Sequence, residues 1–374
     1  MKMNILYLYH FYRDGDGGSS AIDFFLQIDK PIVEDYLVVC KRKYTTKAIN
    51  IVEECDFAVI DSFLSKPNII IHYVRSGQSN VLEHILKHSK SQIPVITTVV
   101  QNPGYKRLML SPFEIKHSNY FVFIDKSSYN HKIISFIPNR YRSCIYLMYS
   151  RNHKVLQSTE SVVLSQNSNC VVYGRGSTLS KCPKDMFEVF DKIGIDNKIF
   201  RIVGIAEGDN WVRREAKKRA NVEVFPQLKY DDWFKICKSF DVFLYQLPKD
   251  SYASIDGTLG LAMCMRKPVV YMGCDAPKER IEHGKNGYIA ETIDEMAYYA
   301  TELGRSYDLR KSIGEKGREG VYTMSKENNA EQRFHDSYMK AFQSDIIISV
   351  PLSYRLKYLF YCYKDIIRNH FNKY

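Results

Sequence analysis

The residues whose types and spacing suit chemistry fall in glycine-bearing stretches. The first is His10-Phe11-Tyr12-Arg13-Asp14-Gly15-Asp16-Gly17-Gly18-Ser19-Ser20, between an apolar run and a helical pattern. Glycines let backbone approach a ligand closely, and a following helix offers free N–H groups at its positive dipole end. Gly15, Gly17 and Gly18 lack the G-x-G-x-x-G spacing, and no G-K-[ST] follows, so this is neither a dinucleotide fingerprint nor a P-loop. Asp14-Gly15-Asp16 spells a common D-x-D metal string and reads here as solvated loop. A turn with Ser19 or Ser20 as helix N-cap is the plain alternative for the whole stretch. The second stretch is Tyr173-Gly174-Arg175-Gly176 with Lys181 beyond it. A planar guanidinium and a compact ammonium on one loop can converge on a diphosphate. The third runs Ala253-Ser254-Ile255-Asp256-Gly257-Thr258-Leu259-Gly260-Leu261-Ala262-Met263, then Arg266-Lys267-Pro268-Val269-Val270. Amides at the start of that small-residue helix can hold phosphate oxygens, with the Thr258 hydroxyl beside them; an Asp256 N-cap is the alternative. Gly284-Lys285-Asn286-Gly287 reads as a helix stop and a tight turn, a structural role.

These loops need a scaffold that presents them. Short β-branched and aromatic runs predict strands at 4–10, 36–41, 57–61, 69–74, 94–100, 120–125 and 143–148, with helical patterns near 19–29, 45–54, 80–90 and 127–136. After the polar 150–168, strands are predicted at 170–174, 199–203, 222–225, 242–246, 269–272 and 287–290. Helical patterns fall near 184–193, 210–219, 230–239, 257–265, 276–283, 293–304 and 308–319. Such alternation predicts parallel, doubly wound sheets. The last residues differ: Leu352, Leu356, Leu359 and Tyr363 recur at helical spacing, and Arg355, Lys357, Lys364, Arg368 and Lys373 oppose one acid, Asp365. A basic, aromatic, amphipathic helix can pack back onto the body or lie in a membrane interface, and both readings stand.

Composition narrows the classes. The chain has 374 residues, 45% hydrophobic and 25% charged, as in a two-domain globular protein. Nine scattered cysteines without a C-x-x-C pair argue for a reducing compartment and against structural zinc. Met3-Asn4-Ile5-Leu6-Tyr7-Leu8-Tyr9 is too short for a secretion signal and reads as a strand. No uncharged run is long enough to span a membrane. The balance of 53 Lys and Arg against 42 Asp and Glu, +11, favours anionic partners. Nucleic acid is set aside, because the basic residues are spread and no RNA-binding motif appears.

The ordered pieces over 170–320 are Gly174-Arg175 with Lys181, Arg201-Ile202-Val203-Gly204, Asn221-Val222-Glu223-Val224-Phe225, Phe240-Asp241-Val242-Phe243-Leu244, Pro248, Ala262-Met263, Pro268-Val269-Val270 and Gly284-Lys285-Asn286-Gly287. In that order they resemble the GT-B glycosyltransferases, most closely glycosyltransferase family 4. The resemblance implies a nucleotide-sugar donor held mainly by the second domain. Arg175 and Lys181 match the family's diphosphate-binding pair; their separation is one residue longer, which makes Lys184 the alternative. Gly17-Gly18 matches the glycine-rich loop that meets donor phosphates and acceptor. Alignment on Pro268-Val269-Val270 puts Ala253 and Leu261 where the family carries two glutamates, the second holding the ribose; Asp256 is the nearest substitute. Gln101 stands where members often place a histidine. It can hydrogen-bond a sugar but cannot transfer a proton.

The expectation is an α/β protein of two doubly wound Rossmann-like domains facing across a cleft. Residues 1–155 form the acceptor-side domain, 156–342 the nucleotide-sugar domain, and 343–374 a basic amphipathic helix. The expected activity is metal-independent transfer of one sugar from a UDP or GDP type donor to a glycan or lipid-linked glycan, with no cofactor; the resemblance implies retention. Arg175, Lys181 and Asp16 are the catalytic candidates. Gly17, Gly18, Gly174, Asp256, Gly257 and Thr258 are the donor contacts, and Gln101 and His10 face the acceptor or sugar. His10, Asp16 and His117 are the available proton carriers. The expected location is cytoplasmic, with a peripheral membrane position open. The competing class is a non-catalytic sugar-nucleotide or glycan-binding protein of the same fold.

Overall fold

The computed structural model describes residues 2–13, 17–45, 49–77, 79–89, 92–105, 108–146, 164–166, 171–176, 178–228, 230–254, 257–344 and 348–371. The chain divides into two compact units, Met1–Leu147 with Asn329–Tyr374, and Met148–Asn328.

Unit 1 holds a seven-stranded sheet built from β1 (Met3–Arg13), β2 (Val33–Tyr44), β3 (Ile51–Glu53), β4 (Ile69–Arg75), β5 (Val95–Val99), β6 (Tyr120–Phe123) and β7 (Arg142–Cys144). Its order is β3-β2-β1-β4-β5-β6-β7, and every pairing is parallel. Its helices are α1 (Gly17–Ile28), α2 (Phe57–Leu64), α3 (Val81–His88), α4 (Pro112–His117) and the short α5 (Lys126–Tyr129). Along β1, Ile5, Tyr7 and Tyr9 enter one core while Leu6 and Leu8 enter the other. A strand covered on both faces carries this nearly continuous apolar run.

Unit 2 repeats the plan with β8 (Val172–Gly176), β9 (Ile199–Val203), β10 (Val222–Phe225), β11 (Val242–Gln246), β12 (Val269–Met272) and β13 (Tyr288–Ile289), in the order β10-β9-β8-β11-β12-β13. Its helices are α6 (Met186–Lys192), α7 (Trp211–Ala216), α8 (Tyr230–Lys238), α9 (Gly257–Cys264), α10 (Asp275–Lys278), α11 (Ile293–Arg305) and α12 (Tyr307–Asn328). The expected doubly wound pattern is present in both units. Gly284 has φ +75°, and Asn286 accepts from the Glu282 amide at 2.8 Å, which makes this stretch the structural turn expected of it.

Two departures from the sequence reading change an element's type or the unit it belongs to. The expected helix 45–54 and strand 57–61 are replaced by β3 and α2. Ile51-Val52-Glu53 pairs with Val38-Val39-Cys40. Ile60 and Phe63, three apart, are the buried positions of α2, a helical spacing that the β-branched run concealed. The second departure is at the far end of unit 2. The helices α13 (Ala330–Phe342) and α14 (Leu352–Phe371) belong to unit 1, although 330–342 had been expected in the second domain. Ala330, Phe334, Tyr338 and Ala341 of α13 join the core formed by α1 and β1. Truncating Phe334 to alanine would cost about 3–5 kcal/mol. Asp29 fixes α13 further by accepting from Tyr7 Oη at 2.6 Å and Tyr338 Oη at 2.7 Å. The α14 helix packs back: Tyr354 is buried and its hydroxyl donates to the Leu110 carbonyl at 2.8 Å.

Candidate functional site

In an open α/β sheet, ligands bind beyond the carboxyl ends of the strands where the order reverses. That switch point lies between β8 and β11 in unit 2. Arg175 sits there as the penultimate residue of β8. It is 1% exposed. Its guanidinium turns inward instead of outward to an open diphosphate. Nη2 donates to the Gln246 carbonyl at 2.9 Å and the Lys181 carbonyl at 3.2 Å, and Nη1 meets Met186 Sδ at 3.1 Å. Arg175 Nε is buried without a hydrogen-bond partner. The Gln246 side chain in turn donates to Asp185 Oδ1 at 2.7 Å. One guanidinium thus ties the turn that carries Lys181 to the end of β11.

Lys181 closes the 3₁₀ turn Leu179–Lys181 and is half-buried. Its ammonium lies 5.7 Å from the Tyr252 ring centroid, a cation–π position. Lys184 is exposed. The α9 helix begins at Gly257, with Gly257 exposed, Thr258 half-buried and Leu259–Cys264 buried. Its first-turn amides have no acceptor within the helix and carry the positive dipole end. This end stands against β8: a Cβ added to Gly176 would lie 3.0 Å from both Thr258 Cγ2 and Trp233 Nε1. Lys181, Gly176, Gly257 and Thr258 therefore gather at one sheet edge with Tyr252, Trp233 and Gln246. The sequence reading missed these last three. Gln246 ends a strand and Tyr252 follows it by six, but nothing in their spacing marks a ligand.

Gly174 has another explanation. A Cβ there would fall 2.2 Å from the Phe240 ring. Its bare backbone makes room for Phe240, and it lies within the strand as a packing residue, not at the ligand edge. Ala253 and Leu261 are 5% and 7% exposed. Both therefore fill apolar space at the positions the resemblance assigns to glutamates. Asp256 and Asp16 lie outside the described residues, and Gly17-Gly18 open α1.

Unit 1 has its own carboxyl edge. His10 near the end of β1 and Gln101 just after β5 are half-buried, and His10 Nδ1 and Gln101 Oε1 are buried without hydrogen-bond partners. Such orphan atoms cost free energy unless a ligand or water meets them. Burial first, then the Lys41 charge, lowers the His10 pKa, and Glu54 opposes the change. A cavity of about 760 Å³ is lined by His10, Phe11, Lys41, Arg42 and Tyr44. His117 is structural: Nδ1 lies 2.9 Å from the Phe113 carbonyl and its ring stacks on Phe113. At the switch point of this sheet the fully buried Arg75 ends β4, bonds the Leu108 carbonyl, and donates to the Met109 carbonyl at 2.7 Å. Among the described residues no three His, Cys, Asp or Glu side chains cluster to hold a metal.

Comparison with known proteins gives these edges a context. The sequence model of the family described as Glycosyl transferases group 1 matches residues 167–305, which include β8 to α11. No curated protein matches the chain. Anabaena HepE, solved with UDP-glucose, aligns over 91% of this chain and 99% of its own at 14% identity and a TM-score of 0.62. A glycosyltransferase from Rickettsia africae ESF-5 aligns over 91% and 99% at 16% identity and a TM-score of 0.63. The lipopolysaccharide outer core galactosyltransferase WaaB aligns over 91% and 98% at 16% identity and a TM-score of 0.57. With both sheets doubly wound and these likenesses spanning nearly the whole chain, the protein has the fold of the GT-B glycosyltransferases, and its second unit carries the sequence pattern of glycosyl transferases group 1.

Proposed function

We propose that the protein is a metal-independent glycosyltransferase that moves one sugar from a nucleoside diphosphate sugar to a glycan or lipid-linked glycan, with retention. The observation that carries this reading is that Lys181, tied through its carbonyl to Arg175, and the start of α9, set against Gly176, both lie at the carboxyl end of β8 at the unit 2 switch point. As the anomeric bond breaks, the departing diphosphate gains negative charge. A fixed ammonium and oriented amides stabilise that charge more in the transition state than in the ground state. Lys181 is the cation and the Gly257 and Thr258 amides are the dipoles. Arg175, the catalytic candidate of the sequence reading, takes a positioning role here, because its donors end on the carbonyls of Lys181 and Gln246. The UDP-glucose complex of HepE supports a UDP type donor. On the acceptor side, the recess by His10 and the unpartnered Gln101 oxygen suit sugar hydroxyls. The scattered cysteines, with no C-x-x-C pair, support a cytoplasmic location.

A second reading has its own observation. Buried Ala253 and Leu261 supply no carboxylate for a ribose, which favours a sugar-nucleotide-binding protein without turnover. Incubation of the purified chain with UDP, GDP, CMP and dTDP sugars, followed by nucleotide release and donor binding, separates the two. Turnover with a UDP sugar supports transfer. Binding without release of nucleotide from any donor, with acceptors supplied, overturns it in favour of the second reading.

A further inference from the structure

The α14 helix has two opposed apolar faces. Tyr354, Tyr358 and Tyr361 pack onto unit 1, with the Tyr354 ring 5.0 Å from Phe136. At about 100° per residue, Leu352, Leu356, Leu359, Phe360 and Tyr363 fall on the opposite side. They are exposed by 71%, 59%, 60%, 61% and 66%. A helix end that merely closed the core would not repeat large apolar residues on its outer side. A contiguous outward stripe of this kind marks an interaction surface.

The charges around the stripe select the partner. Arg355 and Lys357 are exposed and flank it on its two sides. From Ile346 to Lys364 the sequence has no Asp or Glu. A second copy seated on the same stripe would bring Arg355 and Lys357 of both chains together without a carboxylate between them. Like charges so placed oppose pairing. Anionic headgroups neutralise the same cations, and the boundary below them accepts leucine and phenylalanine. No helix among the described residues is long and apolar enough to cross a membrane, so the fitting geometry is in the plane.

We propose that α14 is an interfacial anchor: its outer stripe enters the headgroup boundary of an anionic bilayer while Arg355 and Lys357 pair with lipid phosphates. This extends the cytoplasmic placement above to a membrane surface and is independent of the donor reading. The test is co-sedimentation of the full chain with vesicles of phosphatidylcholine alone or mixed with phosphatidylglycerol. Binding to the mixed vesicles, weakened by salt, is expected. The exposed pair Leu356→Asn and Leu359→Asn should lower binding about tenfold or more, with circular dichroism and donor binding unchanged. Arg355→Gln with Lys357→Gln should lower binding to mixed vesicles only. Equal sedimentation of the wild type and the leucine pair overturns the proposal. So does failure of the wild type to bind mixed vesicles, including the case where ultracentrifugation shows a dimer that the leucine pair abolishes.

Discussion

Arg175 of β8 and Gln246 of β11 are joined across the switch point of the second sheet, with guanidinium Nη2 2.9 Å from the Gln246 carbonyl. The same group reaches the Lys181 carbonyl. Arg75 does likewise at the first sheet, where it holds the carbonyls of Leu108 and Met109. Each unit therefore spends a buried arginine on shaping a loop at the place where ligands of this sheet type bind.

Arg175→Ala should affect folding and activity together. Two backbone carbonyls lose a charged donor, at about 1–3 kcal/mol for each left unsatisfied, and the Lys181 turn loosens. Thermal unfolding beside donor turnover measures both. A variant with unchanged melting temperature and abolished turnover would show direct diphosphate contact instead of positioning.

Lys181→Ala should separate the two effects. The side chain is half-buried, so stability changes little. Loss of a charge aimed at the leaving group should lower kcat/KM by about 10²–10³. Steady-state release of the nucleoside diphosphate measures this. Retention of wild-type kcat would remove Lys181 from the mechanism.

Gly174→Ala should destabilise unit 2 by about 1–3 kcal/mol through overpacking against Phe240. The folded protein should keep its donor affinity. Phe240→Leu in the same chain should recover part of the loss, and urea unfolding of the double-mutant cycle reads the coupling. Additive losses would show that the close approach is not what demands glycine.

Stability should fall on mild acidification through His72. Burial pushes its pKa down to about 3, and the neutral ring sits 2.7 Å from both Tyr338 Oη and Thr98 Oγ1. Between that value and the unfolded value of about 6.5 the unfolded chain binds the extra proton, so stability rises with pH in this window. The contribution is complete above the unfolded value and is lost as pH falls towards the folded one. From about pH 7 to about pH 5 the loss should be near ~2 kcal/mol. His72→Gln should flatten this part of the slope in urea unfolding. An unchanged slope in the variant would assign the acid sensitivity to other groups.

The linear chain determined most of unit 2. Its strands are short and separated by turn residues, and the central β11 and β12 are buried throughout, so period and punctuation agree: β9, β10, β11 and β12 fall where Ile199–Val203, Val222–Phe225, Val242–Gln246 and Val269–Met272 were expected. The sheet edge and its charged loop follow from that alternation. Tertiary structure alone decided three other matters. Ile51–Glu53 became an edge strand because β2 offered an open partner, while local pattern favoured a helix. The α13 helix crossed to unit 1 because Phe334 and Tyr338 complete a core that holds Tyr7, Phe24, Phe25, Val122 and Ile145 from far earlier in the chain, a contact no window of sequence contains. Arg175 turned inward because one of its acceptors, the Gln246 carbonyl, comes within reach only once β11 lies beside β8. Side-chain type and spacing can name a cation. Only packing decides whether that cation faces a ligand or the protein's own backbone.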